Sequence, residues 1–172
     1  MRFEGLDLPE PEDSFDEKLL DDVRTVGWHC LHVADEHHPE HAEENAALGP
    51  HPIYDAAFSY TIGLWLTMSH PELVLVGRWG QSHAIIASAV AAIRNGAHFK
   101  VGSTSDEVLE GYEVCFSPVS RERRVELLTY ASWANRHRPF DALQLVLPDA
   151  DRRWPWDRGY TSVAQPLLDG SV

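Results

Sequence analysis

Cysteine is scarce, basic residues are outnumbered, and no apolar run is long enough for a membrane. Cys30 and Cys115 are the only 2 cysteines in 172 residues. Each sits inside an apolar run, which favours buried free thiols in a reducing compartment over a disulfide. Lys and Arg number 14 against 27 Asp and Glu, for a formal net charge of −13. Counterion release cannot drive such a chain onto DNA or RNA, so no nucleic-acid partner is expected. The longest largely apolar run, 84–93, falls well short of the ~20 residues that span a bilayer, so no membrane partner is expected either. The acidic start has no apolar core of the kind a secretory signal needs, and it does not resemble a transit peptide. A cytoplasmic location is the expectation. Chemical motifs are missing too. There is no Gly-rich phosphate loop, no serine nucleophile elbow and no CxxC pair, and no nucleophile–base–orienter set can be assembled. No cofactor is expected.

What is present is a chain of one-domain size with 44% hydrophobic and 24% charged residues, ordinary for a globular protein. The acidity is uneven. Residues 1–50 hold 14 acidic against 3 basic side chains, and residues 51–172 hold 13 against 11. Residues 1–13, rich in proline and acid, read as a flexible acidic arm on a single domain over 14–172.

The pattern predicts a helix over 15–26, opened by a capping box of Ser14 and Glu17 and closed by Gly27. Residues 28–33 read as a strand with Trp28, Cys30 and His32 on one face. His29 and Cys30 point to opposite faces and cannot form a dyad. Residues 34–56 form a long polar insertion loop. Alternation over 58–67 predicts a strand, and 73–77 a second, joined by too few residues for a parallel crossover. A buried helix is expected over 83–94, with Tyr60, Ile62 and Leu64 beneath it. Further strands are expected at 113–119 and 143–147, with a helix from Ser120 to about His137 between them. The stretch 103–111 reads as a loop. The expected fold is α+β, with a mostly antiparallel sheet of about five strands packed with three helices.

Three segments, "FSYTIGL…HPELVLVG", "FDALQLVLPD…WPWDRGY" and "QPLL", resemble an uncharacterised bacterial family, the domain of unknown function numbered 4262. The resemblance covers residues 15–168. It implies a small cytoplasmic domain with no established reaction. Carried onto this chain, the family's polar signature falls on Tyr60, Thr61, Gly63, His70, Glu72, Gln144, Asp149 and Trp156.

Each of these residues has a structural and a functional reading. His70-Pro71-Glu72 can form a tight turn in which Glu72 satisfies backbone amides. Alternatively, it can place a titrating imidazole beside an orienting carboxylate. Gly63 can admit a packed helix or clear space for a ligand, with Thr61 lining that space. Gln144, if buried, must be hydrogen-bonded. Trp154 and Trp156 either cover the core or form an aromatic patch.

Three functions of different class follow. The first is a binding domain that recognises a protein partner or small ligand beside the His70–Glu72 turn. The second is an enzyme, such as a hydrolase, centred on His70 and Glu72. The third is a metal-dependent protein using His37, His38, His41 and His51, although Pro39 interrupts a helical chelating pair. If the strand at 143–147 runs antiparallel to that at 73–77, Asp149 and Trp156 share one pocket with His70, Glu72 and Thr61.

Overall fold

Asp13, not Ser14, opens the first helix. In the computed structural model, which describes residues 3–33, 57–77 and 81–170, α1 spans Ser14–Thr25. The Asp13 carboxylate accepts from the Phe15 and Asp16 amides at 2.9 Å. Asp16 reaches back to the Glu12 amide at 3.0 Å. The cap thus sits one residue earlier than expected, on two carboxylates that suit the positive end of a helix, with Asp16 reaching past the N-cap to the Glu12 amide.

The strands are β1 (His29–Val33), β2 (Phe58–Ile62), β3 (Glu72–Val76), β4 (Thr104–Leu109), β5 (Tyr112–Pro118) and β6 (Ala142–Val146). The other helices are α2 (Leu64–Met68), α3 (Ser82–Arg94), α4 (Arg121–Leu127) and α5 (Thr129–Ala134). They form one six-stranded sheet in the order β1-β2-β3-β6-β5-β4. Every neighbouring pair is antiparallel except β3 and β6, which are parallel with Glu72 opposite Ala142 and Leu75 opposite Leu145. The fold is α+β and mostly antiparallel, as expected, with six strands for about five and, among the described residues, five helices for three.

Helices cover both faces of the sheet. On one face Phe58, Tyr60, Ile62, Val74 and Val76 pack with Leu19, Leu20 and Val23 of α1 and with Leu127, Leu128 and Ala131. On the other, Leu73, Leu75, Leu143, Leu145 and Phe116 pack with Ile85, Ile86, Ala89 and Val90 of α3. Tyr60 and Ile62 therefore lie under α1 and α5, not under α3, and only Leu64 joins the α3 side.

Several expected elements are redrawn. The strand expected over 58–67 stops at Ile62. Gly63 turns the chain with φ of 111°, and a five-residue helix follows. Between α4 and α5, Leu128 takes ψ of 48°, which breaks the single helix expected there. β4 is a strand where the pattern predicts a loop, because it is an exposed edge carrying Asp106 and Glu107, with a register shift between Ser105 and Leu109. The insertion at 34–56, with its four histidines, lies outside the described residues. Among the described residues no helix is long and apolar enough to cross a membrane.

The arm is docked where a loose segment was expected. Leu8 is buried in the α1 face of the core. The Phe3 amide donates to the Arg24 carbonyl at 2.8 Å, and the Arg136 guanidinium donates to the Leu8 carbonyl at 3.0 Å. Asp7 pairs with Arg136 and Arg138 at 3.5 and 3.4 Å. Proline and acid count alone hid this, because one buried leucine and two arginine straps suffice to hold so short a piece. Deleting residues 1–8 should lower the melting temperature by about 5 °C, chiefly through the loss of Leu8 burial. An unchanged melting curve would show the docked arm to be energetically idle.

Candidate functional site

At the amino end of β3 the chain builds a buried polar node. Glu72 has no exposed surface. Its carboxylate accepts from the Thr61 hydroxyl at 2.6 Å and from the amides of Gly63, Trp65 and Leu64 at 2.9, 3.1 and 3.3 Å. Those amides open α2, so Glu72 supplies that helix with an acceptor for its free N–H groups. Thr61 in turn accepts from the Leu73 amide at 2.8 Å, standing in for a ladder bond where β2 and β3 diverge. Gly63 is required twice. Its φ is left-handed, and a Cβ there would lie 3.0 Å from the Gly27 carbonyl and 3.1 Å from the Val23 methyls of α1. Burial pushes the Glu72 pKa up to about 7, and the Thr61 hydroxyl and three amides work against that rise.

His70 is likewise fully buried. Its Nε2 accepts from the Phe99 amide at 3.1 Å, which places the proton on Nδ1, 2.8 Å from the Pro71 carbonyl it donates to. Burial lowers its pKa, the Pro71 carbonyl raises it and His98 lowers it further. His70 is thus a neutral staple between the turn and residue 99. Its polar atoms are already engaged, as are both oxygens of Glu72.

Tyr60 is buried under α5, where its hydroxyl accepts from the Tyr130 amide at 3.4 Å, and burial raises its pKa well above the usual phenol range. Gln144 ties the C-terminal segment to the sheet. Its amide donates to the Pro166 carbonyl at 2.9 Å and its oxygen accepts from the Leu168 amide at 2.8 Å. Asp149 organises the loop after β6. It accepts from the amides of Asp151 and Arg153 at 2.9 Å, from the Thr161 amide at 3.1 Å and from the Arg153 side chain at 3.1 Å. Burial raises its pKa, but those amides and the Arg153 charge outweigh it and hold the carboxyl below the usual range.

The shared pocket is overturned by the β3–β6 pairing. Because the two strands are parallel, Glu72 lies beside Ala142 at the start of β6. Asp149 and Trp156 follow the other end. Tyr60, Thr61, Gly63, His70 and Glu72 therefore gather in the structure without Asp149 or Trp156.

That second end carries the open surface. A cleft of about 410 Å³ is lined by Asp106, Glu110, Tyr112, Glu113, Arg152 and Trp154. A lobe of about 310 Å³ continues it past Tyr112 and Pro148 to Leu147, Asp149 and Thr161. Trp154 stacks on Trp156 with ring centroids 5.6 Å apart at 15°. Trp156 is 54% exposed, unusual for an indole. Three carboxylates, an aromatic wall and an open mouth can hold a ligand.

A family model described as a domain of unknown function, DUF4262, matches residues 22–161. The chain belongs to this family. No curated protein and no solved structure matches it. The match to the DUF4262 domain spans all eight residues singled out by resemblance, and both sheet ends.

One constellation in this DUF4262 chain joins two residues that alternation already places on one strand face. Cys30 and His32 share a face of the edge strand β1, with Sγ 3.9 Å from Nε2, and His32 Nδ1 lies 2.7 Å from the Ser59 hydroxyl. The shared face is legible in the sequence, whereas the Ser59 contact, 27 residues away, is not. It is not an activated nucleophile, because burial pushes the Cys30 thiol up to about 12. Among the described residues no group of three His, Cys, Asp or Glu side chains could hold a metal ion.

Proposed function

We propose that this chain is a binding domain which takes a protein partner or small ligand at the cleft of Tyr112, Pro148 and Trp154, with Trp156 stacked on Trp154. The observation that carries the reading is the tryptophan stack beside that cleft, in which Trp154 lines the wall and Trp156 is 54% exposed. Large rigid aromatic surface left in water is costly unless something covers it, and it gives contact area at little conformational cost. The binding role expected beside His70 moves to the other sheet end. There Trp156 supplies contact and Asp149 fixes the loop, while Tyr60, Thr61, Gly63, His70, Glu72 and Gln144 hold the fold. The enzyme reading centred on His70 and Glu72 has less support, since both are fully buried with their polar atoms engaged. The metal reading rests on His37, His38, His41 and His51, which lie outside the described residues. A bacterial cytoplasm suits the proposal, as its reducing conditions leave both cysteines unpaired.

The test uses 5-fluorotryptophan labelling, which gives one fluorine resonance for each of the 6 tryptophans. In a screen of small molecules and short peptides, hits should shift the Trp154 and Trp156 resonances ahead of the other four. Hits that instead collect on Trp28 or Trp65 would overturn the reading.

A further inference from the structure

The cleft already holds one cation. Arg152 sits on the turn organised by Asp149, with φ of 64°. Its guanidinium donates to the Gly111 carbonyl at 3.2 Å and lies 6.0 Å over the Tyr112 ring. Asp106, Glu110 and Glu113 line the same space. Glu113 is occupied on one oxygen by the Thr104 hydroxyl at 3.0 Å. Among the described residues none of the three forms an ion pair with Arg152. Three negative charges thus face one weakly held positive charge beside Trp154 and the exposed Trp156 stacked on it.

We propose that this cleft takes a basic side chain, Arg or Lys, from an extended segment of a protein partner, and that Arg152 is the internal stand-in it displaces. The inference rests on the binding reading above and names its occupant. Charge decides the class. The cleft is net acidic on a chain of net charge −13, which repels an acidic ligand and draws a basic one. Geometry decides the fit. The tyrosine face has room for a planar guanidinium, and Trp154 and Trp156 offer further ring faces to a second basic or apolar side chain. Arg152 suits displacement because one hydrogen bond at the outer range of good geometry, plus a ring contact at the distance limit, holds it weakly. Its backbone stays fixed while its side chain swings away, since Asp149 grips the turn through the amides of residues 151 and 153.

The experiment titrates capped tetra-arginine, tetra-glutamate and tetra-alanine peptides into fluorotryptophan-labelled protein at low salt. Three proteins are compared: wild type, Arg152→Ala, and the triple variant Asp106→Asn/Glu110→Gln/Glu113→Gln. Tetra-arginine should shift the Trp154 and Trp156 resonances. Removal of the stand-in should tighten it, and neutralising the carboxylates should weaken it, each by about tenfold. All the altered residues are exposed, so both variants should melt within about 2 °C of wild type. Weaker binding to Arg152→Ala, or unchanged binding to the triple variant, would overturn the inference. If tetra-glutamate or tetra-alanine moves the two resonances and tetra-arginine does not, the basic occupant is wrong and the binding face survives. If tetra-arginine shifts only other tryptophans, both fall.

Discussion

Replacing Glu72 with alanine should cost at least about 3 kcal/mol, because four buried donors lose their common acceptor. Gly63, Leu64 and Trp65 would each keep an amide pointing into protein, and Thr61 would keep a hydroxyl. α2 would lose its cap and, at five residues, is too short to stand without one. Glu72→Gln should be milder at about 2 kcal/mol, since one oxygen still accepts while the amide nitrogen faces donors. The two proteins should also differ in their pH dependence. Burial raises the Glu72 pKa from 4.5 to about 7. Between those values the folded chain binds a proton that the unfolded chain releases, so this group's contribution to stability falls as pH rises through the window. Thr61 can accommodate either state. Its hydroxyl donates to the carboxylate and offers a lone pair to the carboxylic acid. Urea unfolding at pH 5, 6, 7 and 8 should show the wild-type advantage over Glu72→Gln shrinking toward high pH. A constant difference across that range, or a glutamine variant as stable as wild type at pH 5, would refute the account.

His70→Ala should cost about 3 kcal/mol, and so lower the melting temperature by roughly 10 °C. A surface turn residue would cost far less. The difference arises because the imidazole alone satisfies the Phe99 amide and one lone pair of the Pro71 carbonyl, and it packs edge-on against the Phe99 ring with centroids 5.7 Å apart. Protonation would break the bond from Phe99, so His70 works opposite in sign to Glu72. Its folded pKa lies below the unfolded 6.5, and its contribution is present above that value and lost as pH falls. The measurement is thermal melting by circular dichroism, supported by nitrogen NMR showing the proton on Nδ1. A shift under about 2 °C would mean that water replaces the ring at no cost.

The sequence was informative wherever local physics decided the outcome. The amphipathic spacing of Leu19, Leu20 and Val23 placed α1, and alternation through Ile62 placed β2. It failed where a partner distant in the chain decided. Alternation continues past Gly63, but the Glu72 carboxylate captures the amides of Gly63, Leu64 and Trp65, and the chain winds into a helix. The direction of β6 was open because a crossover of more than sixty residues permits either sense. A usable signal existed, since "ELVLV" and "ALQLV" are near-continuous apolar strands buried on both faces, the pattern of parallel pairing. The site reading went astray for the same reason. Residues that look chemical in sequence, His70 and Glu72, were taken up in backbone bonding. The aromatic cleft depends on Tyr112 and Arg152, which nothing local distinguishes.

The lone parallel pair has a consequence for how the molecule comes apart. β1, β2 and β3 are joined to one another by antiparallel ladders, as are β4, β5 and β6. Among the described residues only the β3–β6 ladder stitches the two triplets together within the sheet. The chain is thus two meanders zipped along a seam, and closing that seam is the step with the greatest loop-closure entropy in folding. A chain cut between residues 77 and 81 leaves one triplet on each fragment, so reassembly of the halves would report directly on the strength of the seam.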